Sequence, residues 1–139
     1  MNALVDTSVW SLALRRSPKN LNPTEKSIVG ELTQLVQEGR ARIIGVVRQE
    51  LLSGIRDSEQ YEKLCTDLRA FPDEAVQTAD HESAAKAGND CRSRGIIVSL
   101  VDILICSVAI ARGWSVFSTD PDFRNYSRVL PIKLHTPRK

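Results

Sequence analysis

The chain has 139 residues, of which 42% are hydrophobic and 26% charged, and its formal net charge is +2. This length suits a single domain with a real core, and the balance is ordinary for a globular protein. So small a net charge permits contact with a polyanion but does not argue for one, and any basic surface must be assembled by folding.

Cys65, Cys91 and Cys106 are odd in number and far apart, form no CxxC pair, and lie away from His81 and His135. Neither a zinc site nor a disulfide framework is expected, and a reducing, cytoplasmic setting fits better. MNALVDTSVW lacks the basic segment and apolar run of a secretory signal. The apolar run Ile96 to Ala111 is too short, and too interrupted by Ser and Asp, for a membrane span. No repeat, low-complexity tract or linker divides residues 1–139, which read as one domain.

In chain order, Ala3-Leu4-Val5 reads as a buried parallel-type strand ending at Asp6. Asp6, Thr7 and Ser8 are good helix caps for VWSLALRR, so Asp6 is either a cap or a ligand-binding acid at a strand's carboxyl end. A polar loop, Ser17 to Leu21, leads to Asn22-Pro23-Thr24-Glu25, a capping box. It opens an amphipathic helix that ends at Gly39. Arg42 to Val46 predicts a second strand and Val47 to Ile55 a helix. That places Glu50 one turn past a strand's carboxyl end, an address like that of Asp6. Ser58 to Phe71 predicts a helix with Tyr61, Leu64, Cys65 and Leu68 on one stripe. Glu74 to Gln77 predicts an edge strand, and Asp80 to Arg94 an Ala-rich helix with His81 on its surface.

The organising stretch is IIVSLVDILICSVAIARGWSVFSTDPDF, Ile96 to Phe123. Asp102 is the only charged residue between Ile96 and Ala111, and a carboxyl in so apolar a helix is costly unless paired. Ser99-Leu100-Val101-Asp102 has capping-box spacing, which would satisfy it without any function. Gly113 ends the helix, and Trp114 to Ser118 predicts a strand that delivers Asp120, with Asp122 close behind. A last strand is expected over Leu130 to Leu134, and the tail HTPRK is expected to fray.

Short apolar strands alternating with amphipathic helices predict a three-layer α/β/α sandwich around a mainly parallel sheet of four or five strands. Right-handed crossovers put the strand carboxyl ends on one edge. Asp6, Glu50 and Asp120 follow strands, and Asp102 heads the helix that leads into one, so all four acids can meet.

LVDTSVW (Leu4 to Trp10), QELLSG (Gln49 to Gly54), SLVDILI (Ser99 to Ile105) and STDPDF (Ser118 to Phe123) resemble the four signature segments of PIN-domain ribonucleases. The similarity is closest to the VapC-like toxins of toxin–antitoxin pairs. The resemblance implies Asp6, Glu50, Asp102 and Asp120 as catalytic and metal-binding acids. It also implies Asp122 as an extra acid of variable role and Thr7 as a supporting hydroxyl. It implies a metal-dependent endoribonuclease that leaves 5′-phosphates, a cognate antitoxin protein that blocks the site, and a homodimer. The region 56–98 matches only in helical character, so target specificity is not carried over.

Physical chemistry agrees with that constellation. Two unit charges about 4 Å apart repel by about 4 kcal/mol at an effective dielectric near 20. Clustered carboxylates therefore raise one another's pKa or recruit a cation, and an all-oxygen donor set favours Mg²⁺ or Mn²⁺ over zinc. Arg15, Arg16, Arg48 and Arg124 are rim candidates for meeting phosphates. The competing readings are a PIN-fold RNA-binding or regulatory module with weak or no catalysis, and another Mg-dependent phosphohydrolase. A haloacid-dehalogenase-type phosphatase needs an Asp where Ser8 stands. A receiver domain needs an acidic pair and a strand-end Lys that are not found.

Overall fold

The computed structural model describes residues 1–138. Five strands, β1 (Ala3–Val5), β2 (Ala41–Ile44), β3 (Asp73–Glu74), β4 (Ser115–Phe117) and β5 (Lys133–Leu134), pair in parallel in the order β3-β2-β1-β4-β5. β1 and β4 are buried along their whole length, which is why they read as unbroken apolar runs. Among the described residues seven α-helices cover the sheet: α1 (Thr7–Leu14), α2 (Pro23–Gln37), α3 (Gly45–Leu52), α4 (Ser58–Leu68), α5 (Thr78–Ser93), α6 (Leu100–Arg112) and α7 (Asp122–Tyr126). The chain steps outward from β1 to β3, then returns to β4 and β5 on the other side. Right-handed crossovers therefore put α1–α4 on one face and α5–α7 on the other. This is the expected three-layer α/β/α sandwich, and its strand order reverses between β1 and β4.

Local chemistry sets the element ends. The Asn22 side chain accepts from the Glu25 amide at 2.8 Å and Glu25 returns the bond to the Asn22 amide at 3.0 Å, so the capping box is complete. β2 stops at Ile44, earlier than expected, because Gly45 and Val46 already turn into α3. β5 is shorter than Leu130 to Leu134 because the Leu130 amide closes a turn onto Tyr126 and Pro131 has no N–H to give. Gly113, at φ 71°, lets α6 end and the chain re-enter the sheet as β4.

Trp10 anchors the α1 face: it is 1% exposed, donates its indole N–H to the Val5 carbonyl at 3.1 Å, and packs its ring 4.9 Å from Phe71. On the other face, Arg112 at the end of α6 reaches Asp80, Glu74 and the Ala75 carbonyl, tying α6 to the start of α5 and to β3. That guanidinium and the Gln77 amide hold the Asp80 carboxyl at about 2.

The tail is docked as far as Arg138, which corrects the expected fraying there; Lys139 lies outside the described residues. The His135 amide donates to Val116 at 2.8 Å, and its Nε2 lies 2.5 Å from Glu31, a residue of α2 that is 4% exposed. Arg138 donates to Glu31 at 2.8 Å and grips Glu38 with both guanidinium nitrogens, at 2.8 and 3.0 Å. Among the described residues, no helix is long and apolar enough to cross a membrane.

Candidate functional site

β1 and β4 are neighbours, with Val5 opposite Phe117. Their next residues, Asp6 and Ser118, therefore emerge side by side at the carboxyl edge, where the strand order reverses and ligands of open α/β sheets bind. Asp6 is 5% exposed and occupies the cap position of α1, but its side chain makes no cap hydrogen bond. Its Oδ2 instead accepts from Ser118 Oγ at 2.6 Å and Ser8 Oγ at 2.9 Å. The carboxylate thus faces the strand ends rather than closing the helix.

The same hydroxyls shape the loop after β4. Ser8 Oγ accepts from the Thr119 amide and Ser118 Oγ from the Asp120 amide, each at 3.0 Å. Asp120 Oδ1 accepts from the Asp122 amide at 2.9 Å, an Asx turn that starts α7. Both acids of STDPDF are therefore fixed to the frame that holds Asp6.

Asp102 arrives from α6. Ser99 caps that helix, accepting from the Asp102 amide at 3.3 Å, but the Asp102 carboxylate does not return the bond. It accepts from the Tyr126 hydroxyl at 3.3 Å, so the expected capping box is only half made. Burial, first, and then the charges of Asp6, Asp120 and Glu50 push the Asp102 carboxyl up to about 6, against the Tyr126 hydrogen bond. One carboxylate oxygen from each of Asp102, Asp120 and Asp122 lies within 4.8 Å of the others.

Asp6 and Glu50 stand outside that tight trio, although the charge of each reaches Asp102. Glu50 is exposed on α3 and accepts from Thr7 Oγ1 at 2.6 Å, across the α1–α3 contact. The fold therefore gathers Asp6, Thr7, Glu50, Asp102, Asp120 and Asp122 at one edge, with Asp122 more central than its sequence position suggested. Arg48 is corrected as a rim cation: it pairs with Asp73 at 2.9 Å and donates to the Leu68 and Phe71 carbonyls. Arg16 pairs with Glu25 at 2.9 Å.

Sequence reading missed Ser8, Ser118 and Tyr126. Ser8 and Ser118 lie two residues from Asp6 and Asp120 inside the motifs, so hydroxyl spacing was an available signal. Tyr126 gave none, because its contact spans 24 residues and depends on where α7 docks.

An all-carboxylate donor set this close fits a hard divalent cation. The PIN domain profile matches residues 3–129. A search of curated proteins finds no match. Among solved structures, the fold is similar to FitAcB from Neisseria gonorrhoeae, at 18% identity and TM-score 0.76, covering 97% of each chain. It is also similar to VapBC-1 from nontypeable Haemophilus influenzae, at 15% identity and TM-score 0.74, covering 100% of each. VapBC2 from Rickettsia felis, bound to a DNA fragment from its promoter, matches at 18% identity and TM-score 0.73 over 97% of this chain and 98% of that one. With four acidic motifs at one sheet edge and the profile matched over nearly its whole length, this chain belongs to the PIN domain family.

Proposed function

We propose that this protein is a metal-dependent endoribonuclease, the toxin of a toxin–antitoxin pair. The observation that carries this reading is the meeting of Asp102, Asp120 and Asp122 within 4.8 Å, where Asp102 also feels the charges of Asp6 and Glu50. So much negative charge on a rigid edge is costly unless a divalent cation offsets it.

Asp102, Asp120 and Asp122 would hold Mg²⁺ or Mn²⁺, with Asp6 and Glu50 adding their negative charge beside them. Such an ion supplies Lewis acidity to phosphoryl oxygens and lowers the pKa of an attacking water. The protein's own part is positioning. Ser8 and Ser118 fix Asp6, Tyr126 orients Asp102, and the Asx turn aims Asp120 and Asp122. Thr7 holds Glu50, which would orient the water or accept its proton. A cognate antitoxin protein that covers the acids, a homodimer and a cytoplasmic setting belong to the same reading. Likeness in fold to a solved toxin–antitoxin complex from Klebsiella pneumoniae, at 13% identity and TM-score 0.68, supports the antitoxin.

End-labelled RNA incubated with the purified protein and Mg²⁺ or Mn²⁺ tests this. Cleavage is expected to stop with EDTA and with Asp102→Asn. Cutting that survives both overturns the mechanism.

A further inference from the structure

Beside the acid cluster, towards β5, lies a recess of about 440 Å³, within the usual size of small-ligand pockets. Asp120 and Ser118 form part of its wall, so it is continuous with the acids. Thr119, Pro121 and Phe123 of the same STDPDF motif and Val116 complete that side, and the remainder comes from the start of α2 (Thr24, Ile28), Arg124 of α7 and the chain around the end of β5 (Leu134, His135). That remainder belongs to no acidic motif.

The lining is chemically mixed. Ile28, Phe123 and Leu134 are apolar, and Leu134 is 39% exposed, one of few large apolar side chains left open to solvent. Thr24 brings a hydroxyl and His135 an imidazole. Arg124 is exposed, and its guanidinium makes no hydrogen bond or ion pair among the described residues. The walls are preformed. Phe123 is 1% exposed, and His135 is fixed by Glu31, by the Val116 carbonyl and by the Phe117 ring at 5.0 Å.

Single-stranded RNA is read by splaying its bases against flat apolar or π surfaces and bonding their edges, while cations meet the backbone. A strand whose phosphate sits on the acids must seat a flanking base nearby, and this recess adjoins Asp120. We propose that it receives the nucleobase next to the scissile phosphate, with Arg124 meeting the backbone, and so selects the base on one side of the cut. This rests on the nuclease reading above. It makes α2 and the docked tail, rather than the acids, the source of sequence preference.

Two measurements test it. First, iodouridine-substituted single-stranded RNA is photocrosslinked to the Asp102→Asn protein. Crosslinks are expected on peptides carrying residues 24–28 and 133–135; crosslinks confined elsewhere, or none, overturn the proposal. Second, a randomised RNA pool is cleaved by the wild type, Thr24→Val and Leu134→Arg, both sites being exposed so that the fold is kept. The wild type is expected to favour particular bases at one position beside the cut. Leu134→Arg, which crowds the mouth, should flatten that preference and raise KM about tenfold, with a smaller change in kcat. Cleavage with one profile in all three proteins overturns the recess and leaves the nuclease reading standing. Crosslinking in the recess when the wild type cuts no RNA overturns the nuclease reading, and with it the selection of a base beside a cut.

Discussion

The Tyr126 hydroxyl donates to Asp102 Oδ2 across 3.3 Å, from a ring that is 1% exposed and packed edge-on against Phe123. Burial and the Asp102 charge push the Tyr126 phenol above its ordinary range, so it stays a donor. That donor opposes the forces raising the Asp102 carboxyl. Tyr126→Phe removes it, and Asp102 should then titrate higher still. Mn²⁺ affinity should fall several-fold near pH 6, where proton and metal compete, and much less at pH 8. Calorimetric titration at the two pH values checks this. An equal loss at both would mean that Tyr126 acts by packing alone.

The same carboxyl makes metal-free stability depend on pH. Asp102 ionises near 3.8 when unfolded and at about 6 when folded, so between these values the native state binds more protons. Unfolding free energy must therefore fall as pH rises through that window. Asp102→Asn removes the penalty and should raise the metal-free melting temperature at pH 7 by about 2–4 °C while abolishing cleavage. Mn²⁺ should stabilise the wild type more at pH 7 than at pH 5 and the variant little at either. A variant that melts lower than the wild type without metal contradicts this account.

Ser8 and Ser118 share one oxygen of Asp6, so their effects should not add. Ser118→Ala also removes the acceptor of the Asp120 amide, loosening two acids at once. It should lower kcat about tenfold with a stability cost of about 1 kcal/mol. Ser8→Ala should cost less, and the double variant less than the product of the two. Single-turnover rates and urea melts of the three proteins give the comparison, and strict additivity would mean that the serines act independently.

The sequence made legible what local chemistry decides. Unbroken apolar runs marked β1 and β4, Asn22 to Glu25 marked the start of α2, and strand ends followed by acids marked the edge where they gather. It could not weigh two partners for one group. Asp6 and Asp102 both suit helix caps, and only the β1–β4 register and the docking of α7 show Ser118 and Tyr126 taking them. Arg48 looked like a rim cation because its partners, Asp73 and the Leu68 and Phe71 carbonyls, are 20 or more residues away. The tail looked frayed for a like reason: Glu31 reads as one more solvated acid on an amphipathic helix until β5 brings His135 and Arg138 to it.

That docked tail carries a last prediction. Burial pushes the Glu31 carboxyl up, but hydrogen bonds from His135 and Arg138 outweigh it, and Glu31 lies below its ordinary value of 4.5. A depressed folded value means that its stabilisation is present above about 4.5 and is lost as pH falls further. Glu31→Gln keeps the shape but weakens both bonds, so it should cost about 2 kcal/mol at pH 7. Arg138→Ala, at a half-exposed partner, should cost less. Urea unfolding at pH 7 and pH 3.5 should show the gap between wild type and Glu31→Gln narrowing at the lower pH, because below about 4.5 the unfolded wild type takes up a proton that the folded carboxyl resists. An unchanged gap would mean that Glu31 stabilises by packing, with no contribution from its charge.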